Sequence, residues 1–182
     1  MEMLSEPVVT HRQRALQQTY RRTPEAAWIS DHARALDGDP ADPIRGEIEP
    51  ANNGGVRWAY GLHRAVGGDH DAPNPGDLLT SALAACLRST TRMVAQRLRI
   101  GLADVEVHVA AEVDVRGALR VDPSVPVGFQ RLHCDVSAQV TSGTSDAATL
   151  KVLANHAEAC CIVMQTLKHG VEIQTEWRIS QQ

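Results

Sequence analysis

Asn74-Pro75-Gly76-Asp77-Leu78-Leu79-Thr80-Ser81-Ala82-Leu83-Ala84-Ala85-Cys86-Leu87 is the stretch on which the reading of this 182-residue chain turns. Asn74 is a good N-cap, and Pro75 falls at the first helical position, where its missing N–H is not needed. Asp77 stands third, as in a capping box. The spacing predicts a helix from there to about Ile100, ended by Gly101. Leu78, Leu79, Ala82, Leu83, Ala84, Ala85, Cys86 and Leu87 make its first half apolar nearly all round, which predicts burial on every side. Arg88, Arg92, Arg97 and Arg99 load the second half, where cations suit the negative end of the helix dipole. This helix is expected at the centre of the fold.

Outward from it the pattern changes period. On the N-terminal side, Trp28–Ala35, Ile44–Glu49 and Val56–Ala65 read as strands between Asp/Gly/Pro/Asn turns. In the third, Val56, Trp58, Tyr60 and Leu62 alternate with Arg57, Ala59, Gly61 and His63. On the C-terminal side, Val105, Val107, Val109, Ala111, Val113 and Val115 alternate with polar residues. Leu132, Cys134, Val136, Ala138 and Val140 do the same in Phe129–Thr141. Gly117–Gly128, with Pro123 and Pro126, reads as the hairpin loop between them. Ser145 or Asp146 caps a helix from Ala147 to about Ala159, a shorter helical turn from Cys161 to His169 closes at Gly170, and Val171–Ile179 reads as a last strand. The fold class is α+β, in the order β-β-β-α-β-β-α-α-β. Residues 1–24 read as a polar N-terminal arm, with an exposed helix over Thr10–Arg22, ahead of a single domain over 25–182.

Composition excludes several functions. Hydrophobic residues are 43% and charged residues 22% of the chain, which suits a globular core. A net charge of −4 and an aromatic content of 3%, with Phe129 the single Phe, disfavour nucleic acid. The longest apolar run, Leu78 to Leu87, is too short to span a bilayer. Met1 to Gln13 lacks the apolar core of a signal peptide, so a cytoplasmic location and no membrane partner are expected. There is no dinucleotide fingerprint, P-loop or Gly-x-Ser-x-Gly elbow.

The remaining chemistry rests on Cys86, Cys134, Cys160 and Cys161. A reducing compartment argues against a disulfide framework. Cys134 lies on the apolar phase of a strand and reads as core, and Cys86 by its surroundings alone reads the same way. His156 and Cys160 stand at i, i+4, and Asp69-His70-Asp71 is a second set of metal-binding residue types. Neither brings the four ligands of a structural zinc site, and Asp and His in a Gly-rich loop ordinarily serve the turn.

Gly67-Gly68-Asp69, then Ala72-Pro73-Asn74-Pro75-Gly76-Asp77-Leu78-Leu79, then Ala82-Leu83-Ala84-Ala85-Cys86-Leu87 closely resembles the OsmC/Ohr family. So does Ala157-Glu158-Ala159-Cys160-Cys161-Ile162-Val163, followed by Thr166-Leu167 and Gly170-Val171. The resemblance covers roughly residues 28–179. It implies a thiol-dependent peroxidase for organic hydroperoxides, acting in oxidative-stress defence. It also implies an intertwined homodimer whose sheets enclose the long central helices. No bound cofactor is expected; an external small dithiol or lipoyl-type reductant is. Cys86 matches the family's peroxidatic cysteine, and Cys161, by its spacing to Leu167, the resolving one.

The resemblance also implies an arginine beside the peroxidatic thiolate, held by a glutamate. Arg34, Arg45 and Arg57 are the candidates for the arginine, and Arg45, just after the Asp/Pro turn, is the assignment. The glutamate position is Gly76 in this chain. Asp77, one residue on, either takes its place or only caps the helix. That departure motivates a second reading, a non-catalytic OsmC-like protein that binds a small molecule or senses redox state through its thiols.

Overall fold

A computed structural model describes residues 7–39, 41–50 and 55–180. The first six residues of the arm therefore lie outside it. The central helix, here α2, runs over Pro75–Arg97, with Asn74 as its N-cap. The Asn74 side chain accepts from the N–H groups of Gly76 and Asp77, and the Asp77 carboxylate accepts from the Asn74 N–H at 2.9 Å, so the capping box is complete. The helix ends about one turn earlier than its pattern predicts, because β4 (Gly101–Glu112) begins right after Ile100.

β4 pairs antiparallel with β5 (Arg131–Ser142), with a register irregularity between Ala103 and Glu106. Next to it, Arg88 of α2 donates to the Val105 carbonyl at 3.0 Å, fastening helix to sheet. β1 (Ala33–Asp37), β2 (Gly46–Pro50) and β3 (Trp58–Tyr60) form a separate antiparallel meander. The first and third of these strands are shorter than their sequence pattern. Trp28 and Ile29 stay exposed ahead of β1, and after β3 the chain turns through a short 3-10 segment, Arg64–Val66.

The core forms where α2 meets β4, α3 (Ala147–Cys160) and α4 (Ile162–His169). One cluster holds Leu83, Leu87, Ala157, Cys161 and Met164; a second holds Val94, Ala95, Ile100 and Leu153. Asp146 caps α3, accepting from the Thr149 N–H at 2.9 Å. The buried hydroxyls of Thr90 and Thr91 donate to the carbonyls of Cys86 and Leu87, both at 2.8 Å, so no polar group is stranded in this face. The arm helix α1 (Val8–Arg22) buries none of its residues. It is tied to the far end of α2 by the Val9 N–H on Gln96 and by Arg97 on Gln13. No single helix among the described residues is long and apolar enough to cross a membrane.

Two expectations are corrected. α2 is not buried all round: Leu83 and Leu87 are covered, but Ala82 and Ala85 are exposed, because this chain packs only one side of the helix. Val171–Ile179 forms no strand among the described residues. A strand exists through its ladder partner, and no other described segment pairs with this one.

Candidate functional site

Cys86 lies three turns into α2, half-buried, and packs on the cluster that contains Cys161. Cys161 sits at the junction of α3 and α4, two helices set at 69° to one another. Its backbone is extended (φ −79°, ψ 104°), which breaks the helical run and turns its side chain inward. The residue is 0% exposed. Its thiol neighbours that of Cys86, which packs against the same cluster. Burial, and then that neighbouring thiol, push the Cys161 pKa up to about 11, against an opposing pull from the N–H groups of Met164 and Val163 at the start of α4. Two neighbouring thiols at a core cluster are the arrangement from which a disulfide can form.

The other two cysteines are placed differently. Cys134 is half-buried on β5 against the same cluster, its pKa raised chiefly by burial. It lines a groove of about 240 Å³ between β5 and α3. Cys160, the last residue of α3, is exposed.

A larger cleft, about 730 Å³, opens at the N-terminus of α2. Leu62, Val109, Val113 and Phe129 give it apolar walls, and His70 and Asp77 stand at its polar side. Asp77 serves the cap and takes His70 as a second partner, with Nε2 3.5 Å from the carboxylate. The His70 ring lies 4.6 Å from that of His63. Gly76 faces Phe129: a Cβ there would come within 3.0 Å of the ring and 2.9 Å of the Asn74 amide oxygen. A side chain at this position therefore requires the Phe129 ring and the Asn74 amide to shift.

Arg45 is held by three carboxylates. It donates to Asp42 at 2.6 Å, to Asp71 at 2.9 and 3.0 Å, and to Asp69, clamping the turn before β2 onto the 67–73 loop. The guanidinium in turn holds Asp42 and Asp71 below the usual carboxylate range. Arg34 pairs with Glu49 at 3.0 Å, and Arg57 reaches Glu47 and Glu49 across the meander. The structure thus brings Cys86 and Cys161 together, and sets Arg45 beside the loop that carries His70. Asp77 is nine residues from Cys86 on one continuous helix, about 13 Å along its axis, so the two do not meet within one chain. Asp69 and Asp71 are committed to Arg45, and no group of three or more His, Cys, Asp or Glu suited to a metal occurs among the described residues. Sequence reasoning missed the Phe129–Gly76 contact and the His70–Asp77 pair. The lone phenylalanine beside a hairpin loop was the available signal for the first; nothing local signalled the second.

A family model described as OsmC-like protein matches residues 68–176. Among solved structures, an OsmC-like protein from Mycoplasma pneumoniae superimposes with a TM-score of 0.61 at 12% identity, over 78% of this chain and 89% of that one. An OsmC-like protein from Vibrio cholerae gives 0.63 at 12% identity, over 76% and 94%. An organic hydroperoxide resistance protein from Legionella pneumophila gives 0.57 at 22% identity, over 80% and 94%. At these identities the likeness of the structures is one of fold. No curated protein matches the sequence.

Proposed function

We propose that this chain, which belongs to the OsmC-like protein family, reduces organic hydroperoxides with its own thiols in oxidative-stress defence, Cys86 attacking and Cys161 resolving. The observation that carries this reading is the packing of Cys86 against the core cluster that holds Cys161, which makes the two thiols neighbours. The Cys86 thiolate attacks the outer peroxide oxygen, the O–O bond breaks, and the alcohol leaves with a proton, giving a sulfenic acid on Cys86. Cys161 sulfur then attacks the sulfenic sulfur and water departs, leaving a Cys86–Cys161 disulfide. An external dithiol, small or lipoyl-type, restores both thiols. The burial that raises the Cys161 pKa keeps its thiolate fraction low, and the nearness of Cys86 offsets that cost through proximity.

The working unit in this proposal is a homodimer. Ile173, Trp177 and Ile179 are 80%, 82% and 87% exposed in the single chain, and the open side of α2 presents Ala82 and Ala85. Such a surface calls for a partner. A second copy with its α2 antiparallel brings the Asp77 end of one helix alongside Cys86 of the other. In this arrangement Arg45 is the proposed cation beside the thiolate, a role that requires it to leave the carboxylates of Asp42, Asp69 and Asp71 that neutralise it in the single chain, and Asp77 is a positioning residue.

The Cys161→Ser variant tests the division of labour. After one equivalent of organic hydroperoxide, it is expected to carry a persistent sulfenic acid at Cys86, read as a dimedone adduct, with no disulfide. Absence of the adduct, or a disulfide from Cys86 to another cysteine, contradicts the assignment.

A further inference from the structure

The cleft at the start of α2 has apolar walls, and the charged groups among the described residues that line it are Asp77 and Glu112, with no lysine or arginine. The cations close by are engaged elsewhere. Arg45 is taken by Asp42, Asp69 and Asp71, Arg64 donates to the Asp69 carbonyl at 3.1 Å, and Arg131 donates to Glu112 at 2.7 Å. Resting on the reading above, we propose that this cleft selects uncharged amphipathic hydroperoxides over carboxylate-bearing ones, with His70 holding the polar head.

The loop fixes His70 in place. Its φ of 53° lies in the left-handed region, which is uncommon for a residue with a Cβ. The His70 N–H donates to the Leu62 carbonyl at 3.1 Å, and the flanking Asp69 and Asp71 are both bound to Arg45. Strained backbone persists where its surroundings over-determine it, and such positions cluster at ligand sites. The ring is set as well, with Nε2 3.5 Å from the Asp77 carboxylate. That carboxylate is itself anchored by the Asn74 N–H and side-chain amide, at 2.9 and 2.7 Å.

Two effects select the head group. A carboxylate beside Nε2 favours the proton of a neutral imidazole on that nitrogen and leaves Nδ1 as an acceptor. A hydroperoxyl or hydroxyl group can donate to it; an ionised carboxylate has no proton to give. His63 spends its own Nδ1 on the Ala65 N–H at 3.0 Å, so His70 is the imidazole left for a ligand. Charge acts in the same direction. An anion entering the cleft loses hydration against Leu62, Val109 and Phe129 and meets the Asp77 carboxylate, with no cation among the lining residues to offset either cost. Arg131 screens Glu112, so Asp77 is the main source of repulsion.

The test uses two ligands that share a tail and do not oxidise thiols, cinnamyl alcohol and cinnamate. Titration calorimetry of the reduced full chain at about pH 8, above the ordinary imidazole range, should show the alcohol binding at least about tenfold tighter. His70→Asn keeps a residue type that tolerates left-handed backbone, and should weaken the alcohol about fivefold. Val113→Lys adds a cation to the wall at a position 40% exposed, and should tighten cinnamate about tenfold. Equal or tighter binding of cinnamate to the wild type overturns the inference. So does an alcohol affinity untouched by His70→Asn, or no binding of either ligand. Rapid oxidation of the thiols by organic hydroperoxide without this selectivity sinks the inference alone and leaves the peroxidase reading standing. Selective binding of the alcohol with no thiol oxidation does the reverse.

Discussion

The Cys86→Ser variant should consume organic hydroperoxide at least about three orders of magnitude more slowly than the wild type, the scale of losing a covalent nucleophile. A serine hydroxyl stays protonated at neutral pH, and its oxygen does not take up the peroxide oxygen as sulfur does. The exchange shortens one side chain by a small volume at a half-buried site, so the fold is expected to be kept. Circular dichroism should therefore match the wild type, with at most a small fall in the unfolding midpoint, which separates loss of chemistry from loss of fold. Saturating turnover surviving in this variant contradicts the proposal.

The largest effect on stability is expected at Leu87, one residue beyond Cys86. It is 3% exposed and packs in the cluster with Leu83, Ala157, Cys161 and Met164. Its neighbours come from three helices, so they cannot collapse into the space a smaller side chain leaves. Leu87→Ala removes both the transfer energy of the side chain and the contacts around the cavity, and should cost about 3 kcal/mol. Urea unfolding should show this as a lower midpoint at an unchanged slope. A loss below about 1 kcal/mol places Leu87 outside the core described here. The same cavity borders Cys161, so the variant should also form the disulfide more slowly, through looser positioning of the resolving thiol.

Much of the fold was legible because it is local. The α2 start depends on residues 74 to 77 alone, and the capping box formed as the spacing predicts. The alternation in β4 and β5 marked two long strands and the hairpin loop between them. Cys134, on the apolar phase, packs against the core as expected. What escaped depends on distance along the chain. Asp69 and Asp71 reach Arg45 across more than twenty residues, and no periodicity encodes such a pairing. Phe129 lies over Gly76 from a loop still more remote along the chain. Val171–Ile179 has the residues of a strand, yet a strand needs a neighbour, and the composition of a segment does not supply one. The same reason applies to α2: its apolar girth was readable, but one chain covers only one side of it.

The proposal turns on whether the two neighbouring thiols are the ones that react, and one measurement addresses this directly. Reduced wild-type protein is mixed with one equivalent of an organic hydroperoxide, or of hydrogen peroxide, and its intact mass is followed over time. The account predicts a rapid loss of two hydrogens that maps to a Cys86–Cys161 crosslink and is faster with the organic peroxide. An unchanged mass contradicts it, and turns attention to the cleft at the start of α2 as a binding site in a protein that kept the fold without the reaction.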